Sequence, residues 1–412
     1  MKRIALIAAV GFALCAQPAH AQEKLGTGAP DVTYRAGWTF TPTIGVGETY
    51  DTNVALFSSG HDGTQDYIST VFPGADLHYV GKHSNLDMGY SGAFLDYRTF
   101  DSLNRWDQRA KLEFRQQQTA RFTWYGHTTA ALLPSTDLIE LGGIPYRKTG
   151  AKTFDGRGGV EYVLTARDSL NTSLNYQTID FDRGPDAAPG TLRGGRIFES
   201  MNAWRHKVTE RVGVGGDYSY RRAQVTGDPE PFNFHTTEAA LDYRLSSDWS
   251  FSGAAGIVYL QQTTLFASRV GPAYRAALER HHNRTTFHVG YLRTFIPSFG
   301  YGGTVESQDV GVGFKTPLFH ARRFYLDGSA VFRDNQPLTG NSVIVDPITG
   351  VVDQLPLRSL RAHTIVGWEP QPWVRLEVFY ALVQQTSLHA GGYLDRNRVG
   401  FQIVTSKPMR IE

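Results

Sequence analysis

The chain predicts an all-β fold: a transmembrane, antiparallel, up-and-down β-barrel of about eighteen strands, with sixteen as the alternative. Three observations predict it. Apolar and polar residues alternate with period 2 through most of the chain, so each strand has one oily and one wet face. Short polar turns alternate with longer connections rich in Gly, Pro, Asp and Asn. The composition is that of an exported sheet protein: 412 residues, 43 Gly, 24 Phe, 20 Tyr and one Cys. A single Cys excludes an internal disulfide scaffold. With 41 Lys+Arg against 39 Asp+Glu, the net charge of +2 gives no basis for nucleic-acid binding. The only continuous apolar run lies at the N-terminus and is shorter than the ~20 residues a spanning helix needs.

That run sets the compartment. Met1-Lys2-Arg3 precedes the apolar stretch from Ile4 to Cys15, and Ala19-His20-Ala21 follows as a small-x-small cleavage site. A signal peptide over 1–21, cut after Ala21, is expected. Leu14 is too bulky to make Cys15 a lipoprotein cysteine. The mature chain then has no cysteine and balanced charge. Residues 22–37 are expected as a short periplasmic segment, and 38–412 as the barrel in a bacterial outer membrane.

Taken in order, the first strand is expected at 38–50. The next two, 66–80 and 84–98, flank the turn Gly81-Lys82-His83-Ser84. Residues 105–117 alternate Ala110, Leu112 and Phe114 with Arg109, Lys111, Glu113 and Arg115. Strands at 119–133 and 149–164 follow, then 168–182 after Thr165-Ala166-Arg167-Asp168, and 195–208. After Thr209-Glu210-Arg211, residues 210–224 alternate Val212, Val214, Tyr218 and Tyr220 with Asp217, Ser219 and Arg221. Residues 233–246 alternate Ala239, Leu241 and Tyr243 with Glu238, Asp242 and Arg244, and Ser246-Ser247-Asp248 turns into 248–263. Then come 269–280, 283–297, 303–317, 321–334 and 357–369. Glu369-Pro370-Gln371-Pro372 leads into 373–387, where Val374, Leu376, Val378 and Tyr380 face away from Arg375, Glu377, Phe379 and Ala381. The last strand is 395–407. The segments at 195–208 and 269–280 are the least regular. The long connections are 51–66, 134–148, 183–195, 224–231 and 335–356, and the last is a candidate for folding inward as a constriction.

In hydrocarbon every backbone N–H and C=O must pair within the protein, so the sheet must close. Val310, Val312, Phe314, Phe324, Leu326, Phe332, Val399, Phe401 and Ile403 are expected to face lipid. The opposite parity supplies the candidate lumen charges: Arg109, Lys111, Arg115, Arg221, Arg244, Arg275, Arg361, Arg375 and Arg398, with Glu113, Glu161, Asp217, Asp242, Asp327 and Glu377. This inventory is mixed and modestly basic. A barrel of this strand number encloses more volume than its side chains fill, which leaves an aqueous channel. Trp38, Trp204, Trp249, Trp368 and Trp373 fall at periplasmic strand ends, and Tyr50, Tyr67, Tyr97, Tyr220 and Tyr259 towards the other ends, as expected of two aromatic girdles.

Other chemistry is set aside. His281 and His282 are adjacent, point to opposite faces if extended, and are placed in a turn, so they do not chelate one metal. Gly213-Val214-Gly215-Gly216 is mid-strand with no following helix, and its glycines read as relief of crowding. No nucleophile motif with its structural context occurs. No catalytic residue, cofactor or metal is expected, and the chain does not read as an enzyme.

Three segments carry a family resemblance. Pro42-Thr43-Ile44-Gly45-Val46-Gly47-Glu48-Thr49-Tyr50-Asp51-Thr52-Asn53-Val54 resembles the first strand and E-x-Y-D-x-N exit of a family of outer-membrane β-barrel porins often associated with exopolysaccharide export systems. Gly271-Pro272-Ala273-Tyr274-Arg275-Ala276-Ala277-Leu278 and the run from Tyr291 to Gly303 (YLRTFIPSFGYGG) are similar to later segments of that family, in the same order. The resemblance implies a conduit for secretion of an exopolysaccharide. The partners it implies are outer-membrane lipid, the barrel-insertion machinery, the polysaccharide and periplasmic export components. Lumen Arg and Lys would attract sugar carboxylates, and aromatic faces would stack on sugar rings. A general diffusion porin for small hydrophilic solutes and a surface anchor or adhesin are the alternatives. The C-terminus departs from the usual barrel ending on an aromatic residue: it closes on Ile411, in the parity of Val399, Phe401 and Ile403, and Glu412.

Overall fold

The computed structural model describes residues 36–56, 64–133, 150–182, 193–264, 267–299, 303–318, 323–338, 356–387 and 393–411. The expected signal peptide at 1–21, most of the 22–37 segment, and the connections 134–148 and 339–355 lie outside them. The strands are β1 Gly37–Asp51, β2 Asp66–Val80, β3 Ser84–Tyr97, β4 Arg105–Gln117, β5 Phe122–Leu133, β6 Ala151–Val163 and β7 Asp168–Phe181. They continue as β8 Gly195–Lys207, β9 Val212–Val225, β10 Phe232–Arg244, β11 Trp249–Leu260, β12 Arg269–His282 and β13 Thr285–Pro297. The last are β14 Thr304–Pro317, β15 Phe324–Pro337, β16 Leu357–Gln371, β17 Val374–Ser387, β18 Tyr393–Ser406 and β19 Met409–Ile411. Each pairs antiparallel with its chain neighbour, except that β18 and β19 both pair with β1. Lys407 and Pro408 merely interrupt one stave, because Thr43↔Ser406 and Phe40↔Met409 keep one register. The result is a closed barrel of eighteen staves.

The short turns share a chemical device. Thr119, Thr165, Thr209 and Ser246 each accept, on the side-chain oxygen, the backbone N–H groups two and three residues on. A hydroxyl that satisfies two turn donors at once fixes a tight reversal. All four turns lie at one end, the turn end; the long connections leave the other, the loop end.

The expected parity is found. Ile44, Val46, Trp106, Leu112, Val310, Phe332, Val399 and Phe401 are exposed on one face, and Phe314 and Leu326 share it. On β15 this apolar run goes from Phe324 to Phe332 and then meets Asp334. On β16 it goes from Trp368 to Leu360 and then meets Arg358, which donates to Asp334 at 3.1 Å. On β1 it goes from Trp38 to Val46 and then meets Glu48. Each run is about eight residues, roughly 27 Å of strand, or on the order of 20 Å along the axis at a tilt near 40°. Aromatic pairs mark the turn end: Phe324 stacks on Trp368 at 5.7 Å between centroids, and Trp38 meets Tyr79 at 4.8 Å. Ile411 sits opposite Trp38 on the same face.

Four expectations are corrected. Tyr97 is not in an outer girdle: it has inward parity and is 2 % exposed, packed in an interior cluster with Val54, Ile68, Phe72, Leu95 and Val404. His281 and His282 are the last residues of β12 and not of a turn; they meet different carboxylates, Glu279 at 3.6 Å and Asp248 at 2.5 Å. The segment 195–208 is regular along its length, and 269–280 is regular against β11; the irregularity lies between β12 and β13. The inner face is not wet throughout. Near the loop end it is apolar on β5 to β12, where Leu133, Ile179, Phe181, Ile197, Ala223, Val225, Phe232, Phe234, Val258, Leu260 and Ala273 form one cluster with Phe295, Phe299 and Leu338.

Candidate functional site: the barrel interior

The apolar cluster exists because the β13–β14 hairpin leaves the wall. β12 and β13 pair from His282↔Thr285 up to Tyr274↔Arg293 and no further, while β12 stays on β11 to Arg269 and β13 stays on β14 to Pro297. The backbone explains where the ladder stops. The His281 N–H bonds to Asp248 O, so odd residues of β12 point to β11 and even ones to β13. The Ser298 N–H bonds to Gly303 O, so odd residues of β13 point to β12. In the existing register, the next pairs to exchange N–H bonds would be Pro272 with Phe295 and Val270 with Pro297. Each contains a proline, which has no N–H to give. The Phe295 carbonyl, deprived of a Pro272 donor, accepts instead from Arg221 Nη1 of β9 at 3.3 Å.

The freed end of the hairpin packs inward. Phe295 has the outward parity of Tyr291 yet is 3 % exposed. Its ring fills the space above Gly271, where a Cβ would stand 2.3 Å from the ring. Phe299, also 3 % exposed, reaches β8: a Cβ at Gly195 would lie 2.7 Å from it. Gly303 N–H donates to Asp228 Oδ2 at 3.2 Å, and Leu338 N–H to Thr304 O at 3.2 Å. Asp228 lies in the connection between β9 and β10, and burial pushes its carboxyl above the usual range despite the Gly303 N–H and Arg193 beside it.

Beneath this cluster the interior is a lattice of paired charges. Arg275 of β12 reaches Asp217 of β9 and donates to Glu238 of β10 at 3.0 Å. Arg205 of β8 pairs with Asp217 and lies 3.4 Å from Asp242. Arg221 donates to Glu199 at 2.8 Å. On the other side Lys111 lies 3.3 Å from Asp76 and 3.4 Å from Asp87. Glu113 meets His127 at 3.2 Å, and Arg115 donates to Glu161 at 2.8 Å. Tyr325 Oη donates to Glu377 Oε1 at 2.5 Å, Gln402 donates to the other oxygen, and Arg375 stands 3.8 Å away. Arg333 holds Asp309 through two bonds of 2.8 Å.

All fifteen candidate residues carry the parity opposite to the exposed apolar face. Ten of them enter these pairs: Lys111, Arg115, Arg221, Arg275, Arg375, Glu113, Glu161, Asp217, Asp242 and Glu377. Arg398 sits opposite Asp51 across the β1–β18 seam, Arg109 opposite Ser91, Arg361 opposite Val331 and Val383, Arg244 opposite Ser250, and Asp327 opposite Lys315 and Ile365. The candidates omit, among other inward charges, Asp76, Asp87, Glu199, Glu238, Asp309 and Asp51 on the acidic side, and Arg205, Arg333 and Arg396 on the basic side. With these included the interior is charge-balanced and not modestly basic. The signal that finds them is the same alternation, carried through 66–80, 84–98, 195–208, 233–246, 303–317, 321–334 and 395–407, and one residue past 38–50 for Asp51. The hairpin's inward turn has its own signal in Pro272 and Pro297. Among the described residues no cluster of His, Cys, Asp or Glu is suited to a metal ion. Of the Gly213–Gly216 glycines, the crowding expectation fits Gly215, where a Cβ would meet Trp204 O at 2.2 Å and Arg205 at 2.8 Å; Gly213 and Gly216 have room.

No protein-family model and no curated protein sequence matches the chain. Solved structures with a similar chain path include OpdQ of Pseudomonas aeruginosa, at 10 % identity over 90 % of this chain and 98 % of that one, with a TM-score of 0.44. OccAB4 of Acinetobacter baumannii is similar at 7 % identity over 91 % and 99 %, TM-score 0.45. OccK2 (OpdF) of Pseudomonas aeruginosa in complex with glucuronate is similar at 8 % identity over 91 % and 98 %, TM-score 0.43. At such identities the likeness concerns the path of the chain and not the residues of the interior.

Proposed function

We propose that the chain is an outer-membrane channel for passive diffusion of small hydrophilic solutes, with the turn end in the periplasm and the loop end outside. The closed sheet with its apolar belt and turn-end aromatic pairs supports the membrane setting: below the β12–β13 split closure leaves no unpaired edge, and the belt is about the height such barrels need. The observation that carries the solute reading is the interior. It is a wet wall of paired charges, narrowed towards the outside by two apolar clusters. A polymer would have to thread past both. Six of the seven tryptophans have outward parity, and the seventh, Trp373, lies in a turn, so none of them offers the stacking rungs expected for a sliding sugar chain. Export of an exopolysaccharide, which the family resemblance implies, is therefore the weaker reading.

The test is purified protein in planar bilayers and in liposomes. The expected results are ohmic conductance, and swelling that falls as neutral sugars grow from pentose to trisaccharide. Absence of conductance from correctly folded protein would sink the channel. Conductance that is indifferent to small sugars but blocked by an anionic polysaccharide, together with loss of secreted polymer on gene deletion, would restore the export reading.

A further inference from the structure

We infer that the loop-end part of the β13–β14 hairpin is a hinged stopper that sets the size limit of the channel, with Pro272 and Pro297 as its hinge line and Arg221 and Asp228 as its latch. The inference rests on the channel reading above. Three observations carry it. First, the split is written into the backbone: the two pairs that would zip β13 back to β12 each lack a donor because of a proline, so both walls of the split stay regular on their other sides. On the β12 side the hairpin can therefore part without breaking a ladder; on the other side β14 stays on β15 to Val305↔Pro337, so the end of β15 beyond Asn335, where its pairing with β16 stops, moves with it. Second, apart from the β14–β15 ladder, which runs to Val305↔Pro337 and ends with Leu338 N–H on Thr304 O, the contacts that hold it inward are few and local. They are Arg221 Nη1 to the Phe295 carbonyl at 3.3 Å, Gly303 N–H to Asp228 at 3.2 Å, and the Phe295 and Phe299 rings over Gly271 and Gly195. Third, the occupied position is the lumen and not the outside. Phe299 crosses to β8, so the hairpin end roofs the side of the barrel built from β8 to β12.

Arg221 is a positioning residue in this scheme. Its guanidinium takes over the hydrogen bond that a residue other than proline at 272 would have made, and its second contact, to Glu199 at 2.8 Å, fixes its direction. Swinging out would return the Phe295 carbonyl to the unfilled side of β12 and unroof the charge lattice below.

Two kinds of variant test this from opposite directions. R221A/D228A removes the latch. P272A/P297A restores both missing N–H groups, so β13 can zip to β12 and stand in the wall. Each is expected to raise single-channel conductance roughly twofold, as an interior freed of side chains widens the aqueous path, and to admit the larger sugars in liposome swelling. R221K, which keeps a donor, is expected to stay near native. Heat-modifiable gel mobility reports folding of every variant. General loosening predicts no gain from added backbone donors, so the proline pair separates a hinge from mere damage and decides alone if the latch variant does not fold. A native protein that conducts, with a folded proline pair that conducts no more than it, overturns the stopper and leaves the channel standing. A native protein that is silent overturns the channel reading, and the stopper with it.

Discussion

At the residue scale, the E-x-Y-D-x-N segment proves to be the lock of the barrel seam. Asp51 is fully buried and Arg396, on β18, is 3 % exposed. The arginine grips both carboxylate oxygens, with Nε at 3.1 and 2.9 Å. Asp51 also accepts the Asn53 N–H at 2.9 Å, and the Asn53 amide donates to Asp395 O at 3.2 Å. These contacts join the first and last staves at the loop end. Removing one partner of a buried ion pair strands the other charge, a loss of about 3–5 kcal/mol. Arg396→Ala should therefore unfold at markedly lower urea, read by loss of the heat-modifiable band, while Arg396→Ala with Asp51→Ala recovers much of the difference. If the single variant were as resistant as native protein, the seam would not depend on this pair. The sequence marked these positions as a recognisable segment, but it did not show their work, because the two halves of the lock lie at opposite ends of the chain.

At the element scale, period-2 alternation made the staves legible and hid the hairpin. Nothing changes in the alternation at Phe295: its parity is outward, as in the strand below it, and only leaving the wall buries it. The two prolines were visible in the sequence, yet their meaning depends on which neighbour each N–H faces, and that needs the register. The same ambiguity misplaced Tyr97, whose inward ring meets an apolar cluster instead of water. The docked hairpin should respond to acid in a definite direction. Burial raises the Asp228 carboxyl above its ordinary value, and the charged group in contact with it among the described residues is Arg193, at 3.0 Å. A carboxyl raised by docking holds more protons docked than free, so docking strengthens as pH falls through the raised value and levels off below the ordinary one. Conductance should thus fall as the pH is lowered towards the ordinary carboxylate range. Asp228→Asn, which keeps a carbonyl for the Gly303 N–H without the buried charge, should lose that part of the pH response. An Asp228→Asn channel with the full native response would place the titrating group elsewhere.

At the scale of the whole molecule, if the barrel conducts as proposed, the balance of its interior decides what kind of current it carries. Parity alone suggested a modest excess of cations; the register shows Asp76, Asp87, Glu199, Glu238 and Asp309 set among the arginines and Lys111, each within reach of one. An ion crossing such a lattice passes alternating fields that cancel over a Debye length of about 8–10 Å at ordinary salt. The native channel should therefore discriminate weakly, with a reversal potential close to zero in a salt gradient. Arg361, Arg375 and Arg398 lie on the inner faces of β16, β17 and β18, away from the hairpin. Replacing all three with Glu shifts the interior by about six charges on one wall, where the inward cation left on β16 to β18 is Arg396, already held by Asp51. The expected outcome is a clear shift to cation preference, stronger in dilute than in concentrated salt, with heat-modifiable folding retained. Paired charges that merely hold the wall together would give a different result: a folded triple variant whose reversal potential stays where the native one is. That would move the solute path to another part of the lumen, along Lys111, Arg115 and Glu161 of β4 and β6.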